Sequence, residues 1–383
     1  MITTEQSSWT EKDGWKNIET RTLAGDAQWV MVFGGRRLLE DNTLFKQVRN
    51  KYPSAQMVTC STAGEIFDTN VSDNSLSVTA IHLEKTTLAF TTTEIRTYAE
   101  SYDAGKRLAG QLSHENLVHV MVFSDGRIVN GTQLVSGLNS FLPASVAVTG
   151  GLVGDGAEFK KTLVGFNEPG REGNIVAIGF YGSALHVGYG SFGGWDSFGA
   201  ERTITKSHNN VLYELDGQPA LALYKELLGD QAAGLPSTAL LFPLRLRMVT
   251  NGKEHEVVRT ILGVDEATQS MTFAGDMPIG IQATLMKANF ERLIDGASSA
   301  GSMSVEALGT QKPELALLVS CVGRKLVLQE RSKEETEAVR AILGDAAAMT
   351  GFYSYGELCP VTSTEKKCEL HNQTMTITTF REE

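Results

Sequence analysis

Apolar residues along this chain fall in short runs, and one of them recurs. "VMVF" at Val30–Phe33 returns at Val120–Phe123, an offset of 90. Runs this short and wholly apolar suit strands buried on both faces. The same offset pairs Leu44 with Leu134, Pro53 with Pro143, Val58-Thr59 with Val148-Thr149, Gly64 with Gly154 and Glu65 with Asp155, without a gap. Each copy reads as a buried strand, a helix closed by a proline, a second strand, and a tight turn ending in glycine and an acid. Two more strands follow each copy: "SLSVTAIHLE" and "TTLAFTTTEI", then "NIVAIGFYG" and "ALHVGYGSFGG". Strand, proline and turn matching in one register mark a duplication.

A third echo lies near the C-terminus. "LALLVSCVG" from Leu315 reads as a buried strand, and "SKEETEAVRAIL" from Ser332 as a helix with a charged, solvated face. "TGFYSYGEL" then ends in Gly356-Glu357, so three βαβ-like units close on a carboxylate: Glu65, Asp155 and Glu357. Between the second and third, "STALLFPLRLRM" predicts a strand and "ATLMKANFERLIDG", from Ala283, a helix. "QPALALYKELLG" predicts another helix, with Pro219 at its first position and Gly229 at its end. The expected fold class is α/β: mixed sheets with flanking helices, built from repeated βαβ-like units with extra hairpins. Two parts are expected, 1–220 and 221–383, with a ligand pocket between or within them.

Composition narrows the setting. A chain of 383 residues, 42% hydrophobic and 21% charged, has the make-up of a soluble protein of two or three domains. Its net charge of −11 and the lack of a basic patch argue against a nucleic-acid partner. "MITTEQSSWTEKDGW" lacks the apolar core of a signal peptide, and runs such as "LALLVSCV" fall short of the ~18 residues of a membrane span. Four cysteines without a secretion signal point to reduced thiols and a cytoplasmic location.

Candidate chemistry begins with the glycine–acid turns. Beyond the carboxyl ends of βα strands, Gly64 with Glu65, Asp155 and Glu357 would contact a ligand; alternatively, glycine supplies a positive φ and the acid caps the turn. "GGLVGDG", Gly150–Gly156, looks like a phosphate loop, but "AEFKKTLVGFN" after it reads as strand rather than helix. "GSFGGWDSFG" sets Trp195 among glycines, to wall a pocket or plug a sheet. None of the seven histidines shows metal-ligand spacing. Haem needs only one imidazole and an apolar slot, so it stays open.

The densest constellation is "GFYSYGELCPVTSTEKKCELHNQTMTI", with Cys359, Cys368, Glu369 and His371, then Asn372 and Gln373. It is the start of a zinc site, or a hairpin with "PVTSTEKK" as loop and "CELHNQTMTITTF" as returning strand. On that strand His371, Gln373, Met375 and Ile377 would share an inward face, with Glu357 or Glu369 bonding His371. No Gly-x-Ser-x-Gly elbow or activated-cysteine signature points to a hydrolase.

"GFYSYGELCP" followed by "CELHNQTMTITTF" closely resembles the terminal signature of the FIST family of bacterial sensory proteins. "CSTAGEI", "FSDGRIVNG", "GGLVGDGAEFKKTLVGFN", "NVLYELDGQPAL", "RTILGVDEATQSMTFAGDMPIG", "LMKANFERLIDGA" and "LLVSCVGRKLVL" resemble the rest of its pattern. The resemblance implies a ligand sensor, not an enzyme, and carries Gly64, Glu65, Asp155, Glu357, Cys359, Cys368, His371 and Asn372 over as signature positions. A stand-alone subset of similar length binds haem b and senses nitric oxide, acting in trans on a histidine kinase or a cyclic-di-GMP enzyme. The resemblance carries over no haem ligand; from the residues themselves His208, in the loop of "TKSHNNVLYELDG", is the first candidate for the haem iron, then His186 and His82. The alternative is a small metabolite, such as an amino acid, with Glu65, Asp155 and Glu357 taking its ammonium. A homodimer is compatible with either.

Overall fold

The computed structural model describes residues 1–17, 23–235, 237–250, 253–361 and 366–383. In each of the three units the two principal strands pair in parallel: Trp29–Gly34 with Gln56–Ser61, Leu117–Ser124 with Ala147–Leu152, and Leu315–Cys321 with Ala348–Ser354. A parallel pair needs a crossover, and each has a helix there: Asn42–Lys51, Gly131–Phe141 and Ser332–Leu343. The first two start where a side chain satisfies an orphan amide, Asp41 accepting from Thr43 N and Asn130 from Gln133 N.

Two antiparallel strands extend each sheet beyond its first principal strand. They are Leu76–Leu83 and Ile2–Thr10, Asn174–Tyr181 and Thr87–Glu94, and Met375–Glu382 and Leu185–Phe192. On the other side the chain changes partner. Glu65–Phe67, just after the first unit's turn, pairs with Ala348–Ser354 of the third. Gly356–Pro360 of the third pairs with Ala147–Leu152 of the second, and Val164–Phe166 of the second with Gln56–Ser61 of the first. The exchange is cyclic, and five strands follow the same order in all three mixed sheets. The sixth is an edge strand, Gly14–Asn17 outside Ile2–Thr10 in the first, and Cys368–His371 and Asn70–Ser72 outside the exchanged strand in the other two. Every unit therefore completes its neighbour's backbone hydrogen bonding. One phenylalanine from each unit meets in the core: Phe33 and Phe123, the last residues of the repeated "VMVF", and Phe352, with ring centroids 4.8–6.1 Å apart.

An antiparallel sheet of eight strands, built from residues 196–287, interrupts the third unit between Leu185–Phe192 and the helix Phe290–Glu306. It has its own core, including Ile204, Leu221, Tyr224, Leu246 and Phe273. The expected boundary near residue 220 falls within this insertion. Three local expectations need correction. The first half of "ATLMKANFERLIDG" is a strand, Gln282–Lys287, held by pairing to Leu244–Arg247; the helix starts only after Asn289, whose side chain caps it. In "STALLFPLRLRM" only Leu244 onward is strand, preceded by a 3-10 turn. "CELHNQTMTITTF" is not one strand. Cys368–His371 pairs back on Gly356–Pro360, the chain turns at Gln373 (φ 64°), and Met375–Glu382 joins a different sheet. The intervening 362–365, part of the expected loop, lie outside the described residues.

Candidate functional site

Where the three units abut, the described residues line a cavity of about 710 Å3. Gly35 and Arg36 enter it from the carboxyl end of Trp29–Gly34, and Thr62, Ala63 and Glu65 from that of Gln56–Ser61. The turn Asp155–Glu158 follows Ala147–Leu152, and the helix Val322–Leu328 follows Leu315–Cys321. This is where α/β sheets leave room for ligands, because their loops diverge there. The walls carry both signs. Arg36, half-buried, lies 3.2 Å from Glu40, 2.8 Å from Glu158 and 3.5 Å from Asp155, and its buried Nε has no hydrogen-bond partner. Lys325 donates to Ala63 O at 3.0 Å, pairs with Asp73, and sits 5.6 Å over the Tyr353 ring. Gly64 has φ +141°, a backbone conformation that favours glycine, and a Cβ there would stand 2.7 Å from the movable end of Lys325.

The three acids have equivalent sequence positions but different surroundings. Glu65, buried, accepts from Thr62 Oγ1, from Ser75 N at 2.9 Å and from Ser75 Oγ at 2.7 Å. Glu357 repeats the arrangement, accepting from Ser354 Oγ at 2.5 Å and Thr374 Oγ1 at 2.9 Å. Burial outweighs these bonds and pushes the two carboxyls up, to about 7 and about 8. Asp155 accepts from Lys160 N, Lys161 N and the Tyr355 hydroxyl. Glu65 and Asp155 line the cavity, whereas Glu357 does not. The acids hold the exchange turns, and they do not converge on one pocket.

A second cleft, of about 430 Å3, separates the antiparallel insertion from the third unit. Phe192, Trp195, Val257, Met286 and His371 line it. Trp195 is buried and donates to Gln373 O at 2.8 Å. His371 is bonded through Nε2 to Cys359 O at 3.0 Å, not to Glu357 or Glu369, because the hairpin register sets the imidazole against that carbonyl. Burial pushes it down to about 4. Cys359 and Cys368 are buried thiols whose burial holds them well above their usual range. No group of three His, Cys, Asp or Glu that would hold a metal occurs among the described residues. Asn372, fully buried, donates to His371 O and leaves its Oδ1 without a partner.

Two family models cover most of the chain: the FIST N domain over residues 28–218 and the FIST C domain over 220–360. The chain belongs to the FIST family. FIST domains are sensory, ligand-binding modules of signal transduction. No curated protein matches the chain. Among solved structures, a cyanuric acid hydrolase from A. caulinodans aligns over 100% of this chain and 99% of its own, at 8% identity and a TM-score of 0.39. No helix among the described residues of this FIST protein is long and apolar enough to cross a membrane.

The histidines named for haem do not border either cavity of this FIST chain. His208 is exposed at a hairpin end beside Asn209, His186 lies 3.3 Å from Glu383, and His82 Nδ1 is bonded to Asp26 O at 2.8 Å. The larger cavity is walled by charged groups and includes no histidine, so neither it nor those three residues suit an apolar macrocycle with a neutral imidazole ligand. Arg36 and Lys325 escaped the sequence reading. Their signal was positional: each follows a repeated buried strand, in "VMVFGGR" and "LALLVSCVGRK".

Proposed function

We propose that this FIST chain senses a small metabolite bearing both an ammonium and a carboxylate, of the amino-acid class, in the 710 Å3 cavity. One observation carries the reading: the cavity joins the strand ends of all three units, its lining includes Arg36, Arg37, Lys325 and Lys333 together with Glu65, Asp73, Asp155 and Glu158, and Arg36 pairs with Asp155 and Glu158 and Lys325 with Asp73. A zwitterion exchanges these wall-to-wall pairings for its own, at little net cost in desolvated charge. Because the walls come from units linked by exchanged strands, ligand binding biases how the units sit together. The output passes to a separate partner, a histidine kinase or a cyclic-di-GMP enzyme by the family resemblance, and the chain acts by binding rather than turnover. Haem-based sensing of nitric oxide draws no support from the surroundings of His208, His186 and His82.

Calorimetric titration with the twenty amino acids tests this. Saturable binding at one site, weakened at least tenfold in Arg36→Ala, is the expected result. A panel without a single binder, or binding indifferent to Arg36→Ala, refutes it.

A further inference from the structure

The second unit's sheet ends in an open strand edge. Thr87–Glu94 is its outermost strand and, among the described residues, pairs only with Asn174–Tyr181, without a break in register. Ile95 N donates to Gly173 O at 2.9 Å, and an antiparallel ladder alternates, so the odd-numbered residues of the strand bond inward. The backbone N–H and C=O of Leu88, Phe90, Thr92 and Glu94 therefore point away from the sheet. No other hydrogen bond among the described residues reaches them. Edges of this length are ordinarily blunted by a proline, a lysine, a bulge or a covering segment. "TLAFTTTE" has no proline or lysine, and its only charge is the terminal Glu94. In the first unit the equivalent strand, Ile2–Thr10, has Gly14–Asn17 along part of its outer edge, whereas Thr87–Glu94 has no strand beyond it.

The edge is complementary to itself. Turned about a two-fold axis through Thr91, a second copy sets Leu88 opposite Glu94 and Phe90 opposite Thr92, and every outward N–H and C=O gains a partner. Slipping the register by two residues instead sets Glu94 against Thr86 or Leu88 against Arg96, whose amides are already bonded to Glu382 and Glu100. The side chains agree with the centred register. Phe90 against Thr92 is an aromatic–β-branched pair, made twice, and each Glu94 meets a leucine instead of a like charge. Thr91, on the axis, is 8% exposed, and its buried Oγ1 has no hydrogen-bond partner. A hydroxyl left so costs free energy in the single chain. Opposite Thr91 of the second copy, in a pair without backbone bonds where side chains stand closest, the two hydroxyls supply each other's partner.

We propose that this edge is a homodimer interface, in which Thr87–Glu94 of two chains pair antiparallel about Thr91 and join the second units' sheets into one. The interface is separate from the charged cavity and stands whatever ligand that cavity takes.

Sedimentation equilibrium of the full chain tests the proposal, and a particle of twice the 41.5 kDa chain mass is expected. Thr92→Pro removes an outward N–H and leaves the strand's own ladder intact. Losing that bond from both chains should raise the dimer's dissociation constant about a hundredfold. Thr91→Cys reads the register: with Cα atoms about 4.5 Å apart across the axis, mild oxidation should crosslink the two chains. Thr92→Cys, opposite Phe90, should not crosslink, and the four native cysteines are buried. The crosslink keeps the test valid if Thr92→Pro misfolds. A chain monomeric at every concentration overturns the proposal and leaves the edge to a strand of another protein. A dimer indifferent to Thr92→Pro, or oxidation that joins Thr92→Cys and not Thr91→Cys, overturns it as well.

Discussion

Glu357→Gln is a direct test of what the buried acids do. Glu357 is fully buried, and its bonds to Ser354 and Thr374 offset burial only in part, so it titrates at about 8 instead of 4.5. Between those values the folded chain holds a proton that the unfolded chain has released. The stabilisation is therefore fully present below pH 4.5, falls as pH rises through the window, and levels off above 8. At 1.36 kcal/mol per pH unit, the whole span amounts to about 5 kcal/mol. Glutamine keeps the hydrogen bonds, its carbonyl accepting from Thr374 and its amide donating to Ser354, and cannot ionise. Urea unfolding of both proteins from pH 5 to 9 measures the difference. The wild type is expected to lose stability relative to Glu357→Gln by about 1 kcal/mol per pH unit between pH 5 and 8, with the gap constant beyond. Two curves that stay parallel over that range would refute the reasoning. Glu65, at about 7, adds a loss of the same sign to the wild type and cancels in the comparison.

Other substitutions probe the architecture and the cavity. Glu335→Gln strips the anion from Arg324, both side chains being wholly buried and 2.7 Å apart; thermal unfolding should show a loss of about 3–5 kcal/mol. Gly150→Ala forces a Cβ to 1.9 Å from Val122 O at a φ of +136°, and should cost about 3 kcal/mol or abolish soluble expression. Lys325→Met removes a cation from the cavity wall and leaves Asp73 without its partner; the amino-acid ligand should bind about tenfold more weakly, with the unfolding midpoint within a few degrees of wild type.

The local grammar of this protein is written in its sequence. "VMVF", the prolines and the glycine–acid turns recur because each unit needs a strand buried on both faces, a crossover helix and a turn with unusual φ. Each requirement restricts residue type where it applies, so Gly64, Glu65, Asp155 and Glu357 were legible before any coordinates. Segments whose apolar residues serve either secondary structure were not. Gln282–Lys287 reads as the start of a helix until its backbone finds Leu244–Arg247, and "CELHNQTMTITTF" reads as one strand until Gln373 turns it between two sheets. Pairing partners far along the chain decide such cases, and periodicity does not encode them.

The same distinction separates the sites. Sequence alone determined three similar units, each ending in an acid, and with them the family. Only the tertiary structure decided that each unit lends its next strand to a neighbour. It thereby brought Arg36, Asp155 and Lys325 to one cavity, kept Glu357 out of it, and gave the His371 imidazole a backbone carbonyl, not a carboxylate, as its partner in the second cleft. Residues this far apart in sequence meet through the closure of the ring of sheets, and closure depends on long-range backbone pairing that no single segment specifies.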